Sequence, residues 1–170
     1  MTRIAAPGQR PNRSNHVNQA SRYGDTLSVV DPSNTQHRIR LAGIDSPEKG
    51  PSYGRVSRQR LTDTVFPKAV QVEWTKRDRY GRIIGTVVAD GRDVCLPQIQ
   101  SGLAWHYKKY ETEQSVEDRK ADAEVKARQL ERGLWMDANP VVAWQWRRNA
   151  RSKWLGRLSG LVIRATAAHG

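Results

Sequence analysis

The stretch Gln36-His-Arg-Ile-Arg-Leu-Ala-Gly-Ile-Asp-Ser-Pro-Glu48 changes character half-way along. It alternates at first and then becomes apolar at Leu41-Ala-Gly-Ile44, as a strand does on entering a core. Arg40 is a charge inside that apolar end, a position that disfavours charge unless it has a partner. Strict alternation would send Arg40 and Asp45 to opposite faces. Gly43 between them is placed to host a bulge that realigns them. Pro47 stiffens the exit turn and biases Ser46 toward an extended conformation, so Glu48 projects from a rigid corner. Two carboxylates and an arginine in so short a stretch can hold a hard cation and a phosphate together. The plainer alternative is a structural Arg–Asp pair closing a barrel rim, and the stretch alone favours it.

Working outward, Thr26–Val30 is β-branched and apolar, and Asp31-Pro-Ser-Asn34 makes a turn. On the other side, Val56, Leu61, Thr64 and Val65 have helical spacing, giving a helix over 57–65 that Pro67 stops. Ala69–Trp74 is a period-two strand, and Asp78-Arg79-Tyr80-Gly81-Arg82 turns into a strand over Ile83–Ala89. Asp90-Gly91 is a tight-turn dipeptide, followed by a short helix near Pro97–Ser101. A longer helix is predicted over Val116–Arg132, with Ser115 as N-cap and Asp118 as a partial capping box. Ala123, Ala127, Leu130 and Leu134 line one of its faces, and Gly133 stops it. Trp135, Trp144 and Trp146 supply aromatic mass to close a core. The class is α+β, mainly β: a five-stranded OB-fold barrel with about three packed helices, an architecture that often binds oligonucleotides.

At 170 residues the chain is about one domain long. Its 29 Lys+Arg against 17 Asp+Glu give a net charge of +12, which points to a polyanionic partner, nucleic acid or an anionic membrane surface. The charge is concentrated at the ends. Residues 1–22 carry Arg3, Arg10, Arg13 and Arg22 without an acid, and 147–170 carry six bases without an acid. The intervening body is nearly neutral. The expected organisation is a basic polar tail or weak first strand over 1–22, the barrel domain over 23–148, and a basic tail over 149–170. In that last tail Trp154, Leu155, Leu158, Leu161 and Val162 repeat at helical spacing. The tails act either as solvated ends or as electrostatic tethers to phosphate backbones. No apolar run is long enough to span a bilayer, and the N-terminus lacks a signal-peptide stretch, so the sequence alone reads as cytoplasmic. The lone Cys95 excludes an internal disulfide and is read as a core residue. The four histidines have no ligand spacing, which argues against a zinc or histidine-based site.

Several motifs recur in one order: Gly24-Asp25-Thr26, Arg40-Leu-Ala-Gly-Ile-Asp-Ser-Pro-Glu48, Tyr53-Gly54, Asp78-Arg-Tyr-Gly-Arg82, Gly102-Leu-Ala-Trp105 and Gly133-Leu-Trp135. Together they closely resemble the thermonuclease, or staphylococcal nuclease-like, family over roughly 24–148. The segment from Asn139 to Arg148 looks like the close of its bacterial members. The resemblance implies a Ca2+-dependent nuclease acting on DNA or RNA as a monomer and leaving 3′-phosphate and 5′-hydroxyl ends. It assigns calcium to the carboxylates of Asp25 and Asp45 and the backbone carbonyl of Ser46. It assigns phosphate to Arg40 and Arg82, and the general base to Glu48. Tyr80, with Tyr107 or Tyr110, falls near the tyrosines that contact nucleotide in the family. Arg79 offers a guanidinium fork to phosphate, and Trp105, beside His106, Tyr107, Lys108 and Lys109, is a candidate stacking platform.

The chain departs from the family pattern at its first strand, where His16-Val-Asn-Gln-Ala-Ser-Arg-Tyr23 is polar and Tyr23 stands at the family's first Asp. Such a strand is expected to loosen the barrel edge and the placement of Asp25. Many bacterial relatives carry a secretion signal, so a secreted or periplasmic location follows from the resemblance if the start is incomplete. The alternative function is a catalytically impaired OB-fold module that binds nucleic acid. It predicts gaps among the acids and arginines, and Asp25, Arg40, Asp45, Glu48 and Arg82 are all present.

Overall fold

A computed structural model describes residues 15–48, 53–107, 114–149 and 152, with only the backbone described over 15–22, at Thr75 and over 114–117. It divides into two compact units between Pro140 and Val141. Most of 1–22 and 149–170, including the predicted C-terminal apolar repeat, lies outside the described residues.

Five strands of the first unit close on themselves. β1 (Asn15–Tyr23) pairs with β2 (Thr26–Val30), β2 with β3 (Gln36–Leu41), and β1 also with β5 (Ala69–Arg77). β5 pairs with β6 (Ile83–Ala89), and β6 returns to β3 in parallel register, Arg40 opposite Ile84. The ring β1–β2–β3–β6–β5 is thus the five-stranded barrel, an OB-type closure that leaves no long free edge. The polar β1 holds its place in this ring, and two register shifts along β2 mark where it bends. β4 (Ile44–Asp45) leaves the barrel and pairs with β8 (Trp105–His106), while β7 (Arg92–Asp93) extends β6 through the Asp90-Gly91 turn.

Leu27 and Val29 of β2, Ile39 and Leu41 of β3 and Val70 and Val72 of β5 point inward at two-residue intervals. α1 (Gly54–Val65) adds Leu61 and Val65 to the same core, α2 (Cys95–Gln100) adds Cys95 and Ile99, and α3 (Gln114–Gln129) adds Ala123. α3 starts at Gln114, so Ser115 lies inside its first turn rather than capping it. It also ends earlier than predicted. Glu131 and Gly133 adopt positive φ, and Leu130, expected on the buried face, is 59% exposed. In the second unit, residues 143–149 are helical, and Trp144 and Trp146 are exposed rather than closing the core.

Candidate active site

Arg40, Asp45 and Asp25 come from three different elements and meet. Arg40 is the penultimate residue of β3, at the barrel seam, opposite Ile84 of β6. After Leu41 the chain reverses through Ala42-Gly43, with Gly43 at φ 75°, a conformation that favours glycine. This turn, rather than the predicted bulge, brings Asp45 back beside Arg40. Arg40 Nη2 lies 2.9 Å from Asp45 Oδ1 and 3.4 Å from Asp25 Oδ2. Arg40 Nη1 donates to the carbonyls of Leu41 at 2.6 Å and Ile44 at 2.7 Å, so the guanidinium staples the turn that positions its own partner. Asp25 occupies the β1–β2 turn. Its Oδ2 accepts the Ser46 amide at 3.1 Å, its Oδ1 accepts the Thr26 hydroxyl at 2.9 Å, and its carbonyl accepts the Leu41 amide at 2.9 Å. All three charged side chains are buried, Asp45 completely.

Burial alone would raise the Asp25 carboxyl, but the Arg40 guanidinium, the Ser46 amide and the Thr26 hydroxyl hold it below the ordinary carboxylate range. The group is therefore ionised at neutral pH. Two carboxylates, those of Asp25 and Asp45, face the one guanidinium in the cluster.

A second arginine is presented differently. Asp78 closes the β5–β6 turn, its Oδ1 accepting the amides of Tyr80 at 2.9 Å and Arg82 at 3.0 Å. Its Oδ2 takes Arg82 Nε at 2.7 Å. Burial would raise Asp78, but the hydrogen bonds from Arg82 and Tyr80 lower it. Among the described residues Arg82 is held through Nε alone, leaving the Nη edge of its fork open. Tyr80 is 66% exposed between two arginines, with Arg79 4.8 Å and Arg82 5.6 Å from its ring centre. Arg79 also donates to the Tyr80 hydroxyl at 2.7 Å.

The remaining predicted residues divide. Glu48 is half-buried, beyond β4 and Pro47. Tyr107 is half-buried beyond β8, its amide donating to the Gly43 carbonyl at 2.9 Å, and Tyr110 lies outside the described residues. Trp105 is corrected. It is 2% exposed and packs edge-on against Trp135 at 6.4 Å, so it offers no face to a base. Its basic and aromatic neighbours in sequence mark it as surface, but pairing of β8 with β4 turns it inward.

Several residues escaped the sequence reading. Thr26 and Asp78 stand within quoted motifs without an assigned role, yet hold Asp25 and Arg82. Gln98, fully buried in α2, donates through Nε2 to the carbonyls of Gly24 at 3.0 Å and Ser57 at 2.9 Å, fastening the loop that carries Asp25 to α1. A side chain on Gly24 would collide with Ser57, so that close approach requires glycine.

The family resemblance implies calcium, and the chemistry of the donors fits it. The carboxylates of Asp25 and Asp45 are hard oxygen ligands, and the buried Ser46 hydroxyl beside them has no hydrogen-bond partner among the described residues. Among the described residues no three His, Cys, Asp or Glu side chains converge. An ion here would rest on two carboxylates completed by carbonyl, hydroxyl or water oxygens.

A family model described as staphylococcal nuclease homologue matches residues 38–137. The chain belongs to the staphylococcal nuclease-like family. It is 45% identical over 125 residues to a protein of Escherichia coli named an uncharacterized endonuclease, covering 73% of this chain and 78% of that one. The micrococcal nuclease of Shigella flexneri is 38% identical over 138 residues, covering 76% of this chain and 78% of that protein. A staphylococcal-like nuclease of Arabidopsis thaliana is 40% identical over 114 residues, or 67% of this chain, but only 34% of that longer protein. The matched region of this nuclease-like chain spans β3 to the turn after α3 and so includes Arg40, Asp45, Glu48 and Arg82. Among its described residues no helix is long and apolar enough to cross a membrane.

Proposed function

We propose that the protein is a Ca2+-dependent nuclease that hydrolyses DNA or RNA phosphodiester bonds to leave 3′-phosphate and 5′-hydroxyl ends. The observation that carries this reading is the buried acid pair, Asp25 and Asp45, bridged by Arg40 in a chain of this family. A rim-closing salt bridge needs one carboxylate, and the second adds a further hard oxygen ligand of the kind calcium takes.

Asp25 and Asp45, with the Ser46 carbonyl, would hold calcium, which when bound would supply positive charge that lowers the cost of charge development on the phosphate. Glu48 orients a water molecule and takes its proton as the water oxygen forms its bond to phosphorus. Arg82, with its open Nη edge, and Arg40 stabilise the negative charge that accumulates on the phosphorane oxygens. The bond to the 5′-oxygen then breaks, and that oxygen leaves as the hydroxyl after taking a proton from solvent water, while Glu48 releases the proton it took back to solvent. Arginine releases a proton too reluctantly to be the first choice of donor, so the duty of Arg82 is electrostatic first. Tyr80, flanked by Arg79 and Arg82, offers an exposed ring and two cations to the nucleotide.

The test is degradation of single-stranded DNA in calcium and in excess EGTA, with end-group analysis and the Glu48→Gln variant alongside. Cleavage that requires calcium and leaves 3′-phosphate ends is expected, and Glu48→Gln should abolish turnover while retaining nucleic-acid binding. Binding without cleavage would identify the impaired-module alternative instead, and equal loss of binding and turnover in Glu48→Gln would remove Glu48 from the role of base.

A further inference from the structure

Helix α3 carries a lysine into the interior of the molecule. Lys120 is 1% exposed, although lysine is almost never fully buried unless paired. Its Nζ lies 3.4 Å from the carbonyl oxygen of Ala42 and 3.4 Å from Asp93 Oδ2 in β7. Asp93 Oδ1 accepts the Cys95 amide at 2.8 Å, and the Cys95 thiol reaches the same Ala42 carbonyl at 3.5 Å. One carbonyl therefore draws donors from both α2 and α3. Ala42 and Gly43 are the two residues that reverse the chain between β3 and β4, and so set how Asp45 returns to Arg40. The turn is fastened to the barrel by the Ala42 amide on the Gly85 carbonyl at 2.9 Å, and to β8 by the Tyr107 amide on the Gly43 carbonyl at 2.9 Å. Lys120 fastens it on its helical side.

We propose that Lys120, oriented by Asp93, is a positioning residue that holds the Ala42-Gly43 turn so that Asp45 stays against Arg40 and beside Asp25. The inference rests on the reading of Asp25 and Asp45 as the calcium carboxylates, and it makes α3 a part of the site it never touches. Residues that orient metal ligands from behind commonly change affinity by about 10–100-fold when removed. An apolar residue at position 120 would fill the space but leave the Ala42 carbonyl to the weaker thiol donor.

The experiment uses the full chain and Lys120→Met, which keeps the apolar stem and removes the ammonium. Amide hydrogen exchange of the metal-free protein is expected to accelerate about ten-fold or more at Ala42 and Tyr107, with the β5–β6 ladder unchanged. Calcium titration by calorimetry is expected to show roughly 10–100-fold weaker binding. Unchanged exchange at both amides, or unchanged calcium affinity, overturns the proposal. So does an equal loss of protection throughout the barrel, which would make Lys120 merely structural. Wild-type protein that fails to bind calcium refutes the functional reading, and the exchange data then decide the case of Lys120 alone. Should Lys120→Met not fold, Asp93→Asn removes the ion partner while keeping an acceptor for the Cys95 amide. It is expected to give the same local acceleration, and its absence overturns the proposal.

Discussion

Arg40 spends its guanidinium on protein oxygens: Nη1 on two backbone carbonyls and Nη2 on two carboxylates. Arg82 is held by Asp78 through Nε and keeps its outer edge open. The two arginines that one motif pattern assigns to phosphate therefore differ in what the fold loses without them. Removing one partner of a buried ion pair leaves uncompensated charge and costs about 3–5 kcal/mol. Removing a donor aimed at developing charge costs about 10²–10³ in rate without that penalty. Arg40→Gln is accordingly expected to lose turnover and much stability, and Arg82→Gln to lose turnover with a smaller fall in its urea midpoint, since Asp78 keeps the amides of Tyr80 and residue 82. Parallel urea titrations and single-turnover assays distinguish them, and an equal stability loss in both variants would refute the division. At this scale the sequence was partly legible. A charge in the apolar end of a strand announced that Arg40 had a partner. Lys120 carried a similar signal, since it precedes Ala123 by three residues and so falls on the buried face of α3, but helical spacing alone does not say what a buried lysine touches.

The elements were legible where hydrophobic period and turn chemistry agreed, as in β5 with Val70 and Val72 inward and in the Asp90-Gly91 hairpin. They were less so where tertiary contacts decide. Gly102 and Gly133 belong to two motifs read as family signatures, and the structure packs them together: the Leu134 amide donates to the Gly102 carbonyl at 2.8 Å. A side chain at Gly102 would collide with the Arg132 carbonyl, and one at Gly133 with the Gly102 carbonyl. These motifs mark a close backbone crossing rather than chemistry, and α3 ends before it with Leu130 exposed. The β2–β3 hairpin carries its own titratable brace. Asp31 Oδ1 accepts the amides of Ser33 and Thr35 at 2.9 Å each, and Oδ2 lies 3.0 Å from His37 Nε2. The His37 hydrogen bond and these amides outweigh burial and lower the Asp31 carboxyl from 3.8 to about 2. A carboxyl depressed in the folded state stabilises fully above its unfolded pKa, and that contribution fades as pH falls through about 4 toward 2. Asp31→Asn should thus cost about 2 kcal/mol at neutral pH, with the gap from wild type narrowing steadily between about pH 5 and pH 3. Urea titrations across that range test it, and a gap independent of pH would mean that geometry rather than charge does the bracing.

For the molecule as a whole, periodicity did not reveal which strands neighbour one another. The parallel β3–β6 seam that closes the barrel joins strands separated by a helix and two other strands, and nothing in the composition of either announces it. The order of motifs supplied that topology through resemblance. Charge distribution, by contrast, is fully legible: 147–170 carry six bases and no acid, against a nearly neutral body, and the family match ends at residue 137. Bases that neutralise backbone phosphates release counterions, so binding weakens with salt in proportion to the number of contacts, by a slope of about 0.7 per phosphate on single strands. Trimming 149–170 removes Arg151, Lys153, Arg157 and Arg164. If these bases tether substrate, the salt slope for single-stranded DNA should flatten by up to about 3, while turnover of a saturating short oligonucleotide stays at its full-length value. The comparison is made by fluorescence anisotropy from about 50 to 200 mM salt, the range over which counterion release changes affinity steeply. An unchanged slope would refute the tether, and a flattened slope accompanied by slower turnover at saturation would place these bases in the chemistry rather than in the capture of the strand.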